Sequence, residues 1–217
     1  MNTRPIILAA SCALALSLLT ACGQESAQVA APADPPVETA APPAAPADDT
    51  DLTRAQAAAK SFSGQLQQRL QGAMKQNGPV AAIDVCYTDA PVIAEAVMAE
   101  HGVRLGRVAV PGRNRNSAHA AGDWQLETLQ AFQGAVDGGA DAGDQVVVFR
   151  DELPDDVALR MMRGIATQEG CLACHGGAVE PDVRAAIAAR YPDDGATGFA
   201  VGDLRGALWV EVPAGLE

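Results

Sequence analysis

Cys171, Cys174 and His175 stand together in the stretch QEGCLACHGG, residues 168–177. The C-x-x-C-H spacing brings two thiols within reach of the two vinyl groups of one porphyrin. It also puts the next imidazole over the iron, which is the attachment pattern of a c-type haem. A zinc half-site would need two more Cys or His ligands, and no second C-x-x-C is present. A thioredoxin-like dithiol would sit at a helix start within a βαβ pattern, and the surrounding sequence lacks one. One such motif predicts one haem c, attached through Cys171 and Cys174, with His175 as an axial ligand of the iron.

The ligand on the opposite side is an open question at this level. Of the five cysteines, Cys12 falls in an export signal and Cys22 in a lipidation box, which leaves Cys86 unassigned. In an oxidising compartment a lone thiol must be buried, oxidised, paired or bound. Other candidates are His101, His119, Met74, Met98, Met161 and Met162. Each has a plainer reading: the methionines as core filling, His101 as a cation closing a helix, and His119 as a solvated loop residue. Cysteine accounting alone leaves ligation by Cys86 and simple burial of its thiol both standing.

The elements that must position these residues follow from the rest of the chain. Residues 1–21 read as a lipoprotein signal peptide: a weakly basic start, the apolar run Ile6 to Leu19, and the box LTAC ending at Cys22, the expected lipidated residue. Its apolar run is too short to span a bilayer stably. Gly23 after the cysteine favours the outer membrane, facing the periplasm. Residues 22–50, rich in proline and alanine, acidic and without a basic residue, predict a disordered tether. Residues 51–217 are the expected folded domain. A net charge of −12 and a pI near 4.6 argue against nucleic acid as a partner.

Within that domain, Phe62, Leu66, Leu70 and Met74 predict a long helix from Asp51 to Asn77, closed by Gly78. A short apolar passage containing Cys86 then leads into a helix starting near Pro91 and ending at His101. Residues 103–112, 145–152, 158–167 and 203–213 read as strands. Helices are expected over 123–136, with Asp123 as cap, and over 181–192. Helices combined with hairpin-connected strands predict an α+β domain with an antiparallel sheet.

Five stretches, VCYTDAP (85–91), GRVAVPGRNRNS (106–117), DWQLETLQAF (123–132), GCLACHGG (170–177) and YPDDGATGFAVGDLRGALWVEVP (191–213), resemble one family in content and order. It is the single-haem c-type domain with a PAS-like fold, and the resemblance runs from about Thr53 to Pro213. It implies a PAS-like antiparallel sheet flanked by helices and preceded by a long N-terminal helix. It also implies His175 as proximal and Cys86 as distal ligand. The chain departs from the usual pattern at Arg115 within R-N-R-N, at Gly164 and at Gln125. A thiolate ligand favours ferric iron and a low potential. Arg107, Arg113 and Arg115 are the candidates to pair with haem propionates, because guanidinium geometry suits carboxylates. The resemblance and the labile thiolate imply redox or small-ligand sensing, while electron transfer would need only a rigid haem with an exposed edge; a separate redox or signalling protein is the expected partner. A peroxidase-like enzyme is the weaker alternative, because two axial ligands leave no open site on the iron.

Overall fold

The computed structural model describes residues 50–215. The expected signal peptide, the lipidation site Cys22 and all but the last residue of the tether lie outside the described residues. Among those described, no helix is long and apolar enough to cross a membrane.

Helix α1 (Thr50–Asp84) buries Ala55, Ala58, Ala59 and Phe62 at helical spacing. It extends past the expected stop. Gly78 adopts φ 75°, which breaks the helix, and Pro79 then occupies the first turn of a continuation to Asp84. Proline is preset for that first turn, so the chain restarts as helix after the glycine instead of leaving it. The short apolar passage that contains Cys86 is therefore itself helical. It runs through one π-helical turn, Val85–Asp89, into α2 (Ala90–His101). Gly102, at φ 60°, ends α2 in the left-handed conformation.

Four strands follow the sequence expectation closely: β1 (Arg104–Ala109), β2 (Val146–Phe149), β3 (Val157–Ala166) and β4 (Leu204–Pro213). They form one antiparallel sheet in the order β1-β4-β3-β2. Alternation along β4 divides the core. Leu208, Val210 and Val212 face α1 and α2 together with Leu105, Leu159 and Met161. Ala207 and Trp209 face α3 (Asp123–Asp137) with Val108, Met162, Leu129 and Phe132. Each fully buried aliphatic side chain there contributes roughly 1.5–3 kcal/mol. The α+β architecture, with its flanked antiparallel sheet and long first helix, is as expected. Asp123 is the first residue of α3 and not its cap; Gly122 precedes it, and Gln125 reaches back to accept from the Gly122 N–H at 2.9 Å.

The remaining elements lie between β3 and β4. A 3-10 turn (Glu169–Cys171) leads into the one-turn helix α4 (Leu172–His175), and α5 (Pro181–Arg190) packs against α1. Its Val183 and Ile187 join Ile83, Val179 and Tyr191 in a third apolar cluster that Cys174 borders.

Gly106 and Trp209 face each other across β1 and β4, and a Cβ at position 106 would sit 2.8 Å from the indole ring. Gly106→Ala is expected to cost about 2 kcal/mol by overpacking. That corresponds to roughly 4–8 °C in melting temperature for a domain of this size, read by thermal unfolding.

Candidate functional site

The turn that carries the C-x-x-C-H motif is short enough to set its chemistry. The 3-10 turn closes on Cys171, whose N–H donates to Gln168 O at 2.9 Å, and one α-turn brings Cys174 and His175 round to the same side. All three side chains are half-buried, and both thiols are free. Gly176 ends the turn where a Cβ would lie 2.7 Å from Leu172 O.

A returning segment, Asp194–Phe199, takes up the motif's polar groups. Phe199 N–H donates to His175 O at 2.9 Å and Gly198 N–H to Gly176 O at 3.0 Å. His175 Nδ1 lies 2.8 Å from Ala196 O. A carbonyl can only accept, so Nδ1 carries the proton and Nε2 keeps its lone pair. Burial, with the charges of Arg205 and Arg115 next, pushes the His175 pKa down to about 2, which keeps the ring neutral. A neutral imidazole with one nitrogen tied to a carbonyl and the other free is the form that ligates a metal.

Arg115 braces this arrangement. It donates to Asp194 through Nε at 3.0 Å and to Cys174 O through Nη2 at 2.6 Å, and both members of the ion pair are only 11% exposed. Arg113 stacks 3.5 Å over the Phe199 ring and donates to Thr197 O at 2.5 Å. Phe199 in turn meets His175 edge-on, at 6.3 Å. Of the expected arginines, Arg113 and Arg115 thus hold the walls of the site.

Cys86 approaches from a distant part of the chain. It is half-buried in the π turn and lies within electrostatic range of Cys174, Tyr191, Arg107 and Arg205. A π turn has one residue more than an α turn, and such insertions redirect side chains at functional sites. Arg107 projects from β1 toward α1, 5.7 Å over the Phe62 ring, and Arg205 comes from the start of β4. Neither has a hydrogen-bond or ion-pair partner among the described residues. Burial lowers the pKa of both, and the charge of Arg107 lowers that of Arg205 further. Arg205 escaped the sequence reading. Its only signal was a basic residue among the apolar positions of a strand.

The other candidate ligands are sorted by position. Met161 and Met162 are buried on opposite faces of the sheet, and Met98 packs against the first core cluster. Met74 lies half-buried along α1. His101 sits at the far end of α2 from Cys86, about 18 Å along a helix of that length. Its Nε2 is buried without a partner. His119 is half-buried, contrary to the solvated reading, in a 3-10 turn (Ser117–His119) against β1. Burial, and then Arg107, lower its pKa to about 4.

The donor set fits a haem: two free thiols at attachment spacing, an imidazole with Nε2 free, a third thiol within electrostatic range of Cys174, and two cations without an ion-pair partner among the described residues. Among the described residues no group of three or more His, Cys, Asp or Glu side chains could hold a bare metal ion. A hollow of about 280 Å³ is lined by Gly176, Tyr191 and Thr197 among others, but by neither motif thiol nor Cys86.

A family model described as Tll0287-like matches residues 44–213. Among solved structures, the crystal structure of the cyanobacterial heme-protein Tll0287 superposes with a TM-score of 0.60, at 24% identity, over 79% of this chain and 99% of that chain. At that identity the likeness speaks to the fold. No curated protein matches the sequence.

Removing one member of the buried Arg115–Asp194 pair strands the other, so Arg115→Gln is expected to cost about 3 kcal/mol in denaturant unfolding. His119 offers a test by pH. Its folded pKa of about 4 lies below its ordinary 6.5, so the unfolded chain takes up the proton first. Its contribution to stability is full above pH 6.5 and is lost as pH falls toward 4. In NMR titration Arg107→Gln should move the His119 midpoint upward, because one of its two depressing causes is gone.

Proposed function

The chain belongs to the Tll0287-like family, and from that premise we propose that it is an exported redox protein holding one haem c with His175 and Cys86 as axial ligands. The observation that carries this reading is a neutral His175 with Nε2 free beside two free thiols at attachment spacing, with Cys86 of the π turn within electrostatic range of Cys174. The solved relative is itself described as a heme-protein.

Cys171 and Cys174 would hold the group as thioethers. The Ala196 carbonyl holds the His175 ring in one tautomer and raises the basicity of Nε2. Cys86 would offer a thiolate, a soft anionic donor that favours the ferric state. Arg107 and Arg205, half-buried cations with no ion-pair partner among the described residues, would pair with the propionates. Arg113 and Arg115 act one step back by holding the segment that carries Ala196. When bound, the haem iron supplies one-electron exchange between its ferric and ferrous states.

Two uses of that exchange fit these residues. One is electron transfer to a separate redox protein. The other is sensing, in which a change in the iron's redox state would alter whether Cys86 holds it. The break at Gly78 and the π turn favour sensing, because both interrupt regular α-helical register close to Cys86, where a change of ligation could be taken up. The partner would then be a signalling protein. A peroxidase-like activity fits poorly with ligands on both faces. Lipid on Cys22 and the tether after it would place the domain on the periplasmic side of a membrane, the outer membrane by the residue at position 23.

The test is to mature the protein with a cytochrome c assembly system. The band on a denaturing gel should stain for haem, and Cys171→Ser/Cys174→Ser should abolish the stain. Cys86→Ala should keep the covalent haem but alter the low-spin ferric EPR and visible spectra and raise the midpoint potential. An unchanged ferric spectrum in Cys86→Ala removes sulfur from the iron.

A further inference from the structure

The turn bearing Cys86 is tied down on both sides. Upstream, Arg190 Nε donates to Asp84 Oδ1 at 3.0 Å, with Nη2 2.8 Å from the same oxygen. Immediately downstream, the Arg190 guanidinium lies 5.2 Å from the centre of the Tyr87 ring, and Tyr87 meets Tyr191 edge-on at 5.6 Å. At the far end, Arg69 grips Asp89 through Nε and Nη2 at 3.0 and 2.6 Å. Cys86 is therefore bracketed, two positions before and one after, by residues that the last turn of α5 holds.

That helix begins shortly after His175, and its inner face shares an apolar cluster with Ile83 and Cys174. The segment that carries the proximal imidazole thus continues into the element that holds the distal sulfur. A π turn has a natural way to fail, because slipping back to α register rotates each of its side chains by about 100°. Fixing Asp84 and Tyr87 to one point outside the turn opposes that slip.

We propose that Arg190 is a positioning residue that holds the Cys86 turn in its π register and so keeps the thiol near the C-x-x-C-H motif. This rests on Cys86 being the distal ligand. The plainer alternative is a solvated ion pair with no consequence. Arg190 and Asp84 are 48% and 58% exposed, and such a pair contributes little to overall stability. The two differ in what they move: an idle surface pair leaves ligation alone, whereas a positioning residue alters ligation with little change in melting temperature.

The experiment compares the haem-loaded parent with Arg190→Gln, Arg190→Lys, Asp84→Asn and Cys86→Ala, titrating each ferric protein with imidazole as a competing ligand. The haem-free parent and Arg190→Gln are compared by amide hydrogen exchange over residues 85–89. Arg190→Gln should bind imidazole about 3–10-fold more tightly, the range expected for losing an exposed ion pair and a cation–π contact. Its amides at 85–89 should exchange faster, and its melting temperature should stay close to the parent's. Arg190→Lys, which keeps the charge but not the flat guanidinium, and Asp84→Asn should each show part of the effect. Parent-like imidazole affinity and exchange in Arg190→Gln, alongside much tighter imidazole binding in Cys86→Ala, would overturn the positioning role while leaving Cys86 as ligand. Parent-like imidazole affinity in Cys86→Ala would overturn the ligand assignment, and this role with it.

Discussion

The hydrogen bond from His175 Nδ1 to Ala196 O is the contact on which the rest of the site depends. It fixes which nitrogen bears the proton, and therefore which is left to donate electrons. A bond to one backbone carbonyl would be a loose constraint if the loop bearing it could drift. Here the loop is held by the buried Arg115–Asp194 pair, by two backbone hydrogen bonds to the motif, and by Arg113 stacked on Phe199. The motif and its returning loop behave as one rigid unit, with the imidazole locked inside it.

Charge gives the cleft a second constraint. The chain is acidic overall, yet Arg107 and Arg205, both within electrostatic range of Cys86, have no ion-pair partner among the described residues, and burial lowers the pKa of both. Leaving such groups uncompensated is unfavourable, and the fold does not relieve it with any nearby carboxylate. A dianionic group held between them would. The two arginines favour something negative beside them, and the propionates of a haem would have that chemistry.

Much of this was legible in the sequence, for identifiable reasons. C-x-x-C-H is a local pattern, so its three residues could be read without any fold. Strands β1 and β4 announced themselves by alternation, most clearly through Leu208, Val210 and Val212. Cys86 stood out only by elimination and by the resemblance of its surroundings, because nothing in VCYTDAP shows that it meets a segment far along the chain. Gly78-Pro79 looked like a stop and is instead a restart, since a glycine break and a proline first turn are equally compatible with either. Arg205 was hidden because strand periodicity marks apolar positions and says nothing about a basic residue between them. Arg113 and Arg115 were recognised as important while their contacts to Phe199 and Asp194, which define what they do, are tertiary and have no local signature.

Iron-edge X-ray absorption of the haem-loaded ferric protein tests the central claim most directly, because it reports the atoms bound to the metal without altering the chain. A single sulfur scatterer beside the nitrogen shell is the result predicted for His175 and Cys86 on opposite faces. A shell of nitrogen alone, or one in which a light atom replaces sulfur, would contradict it.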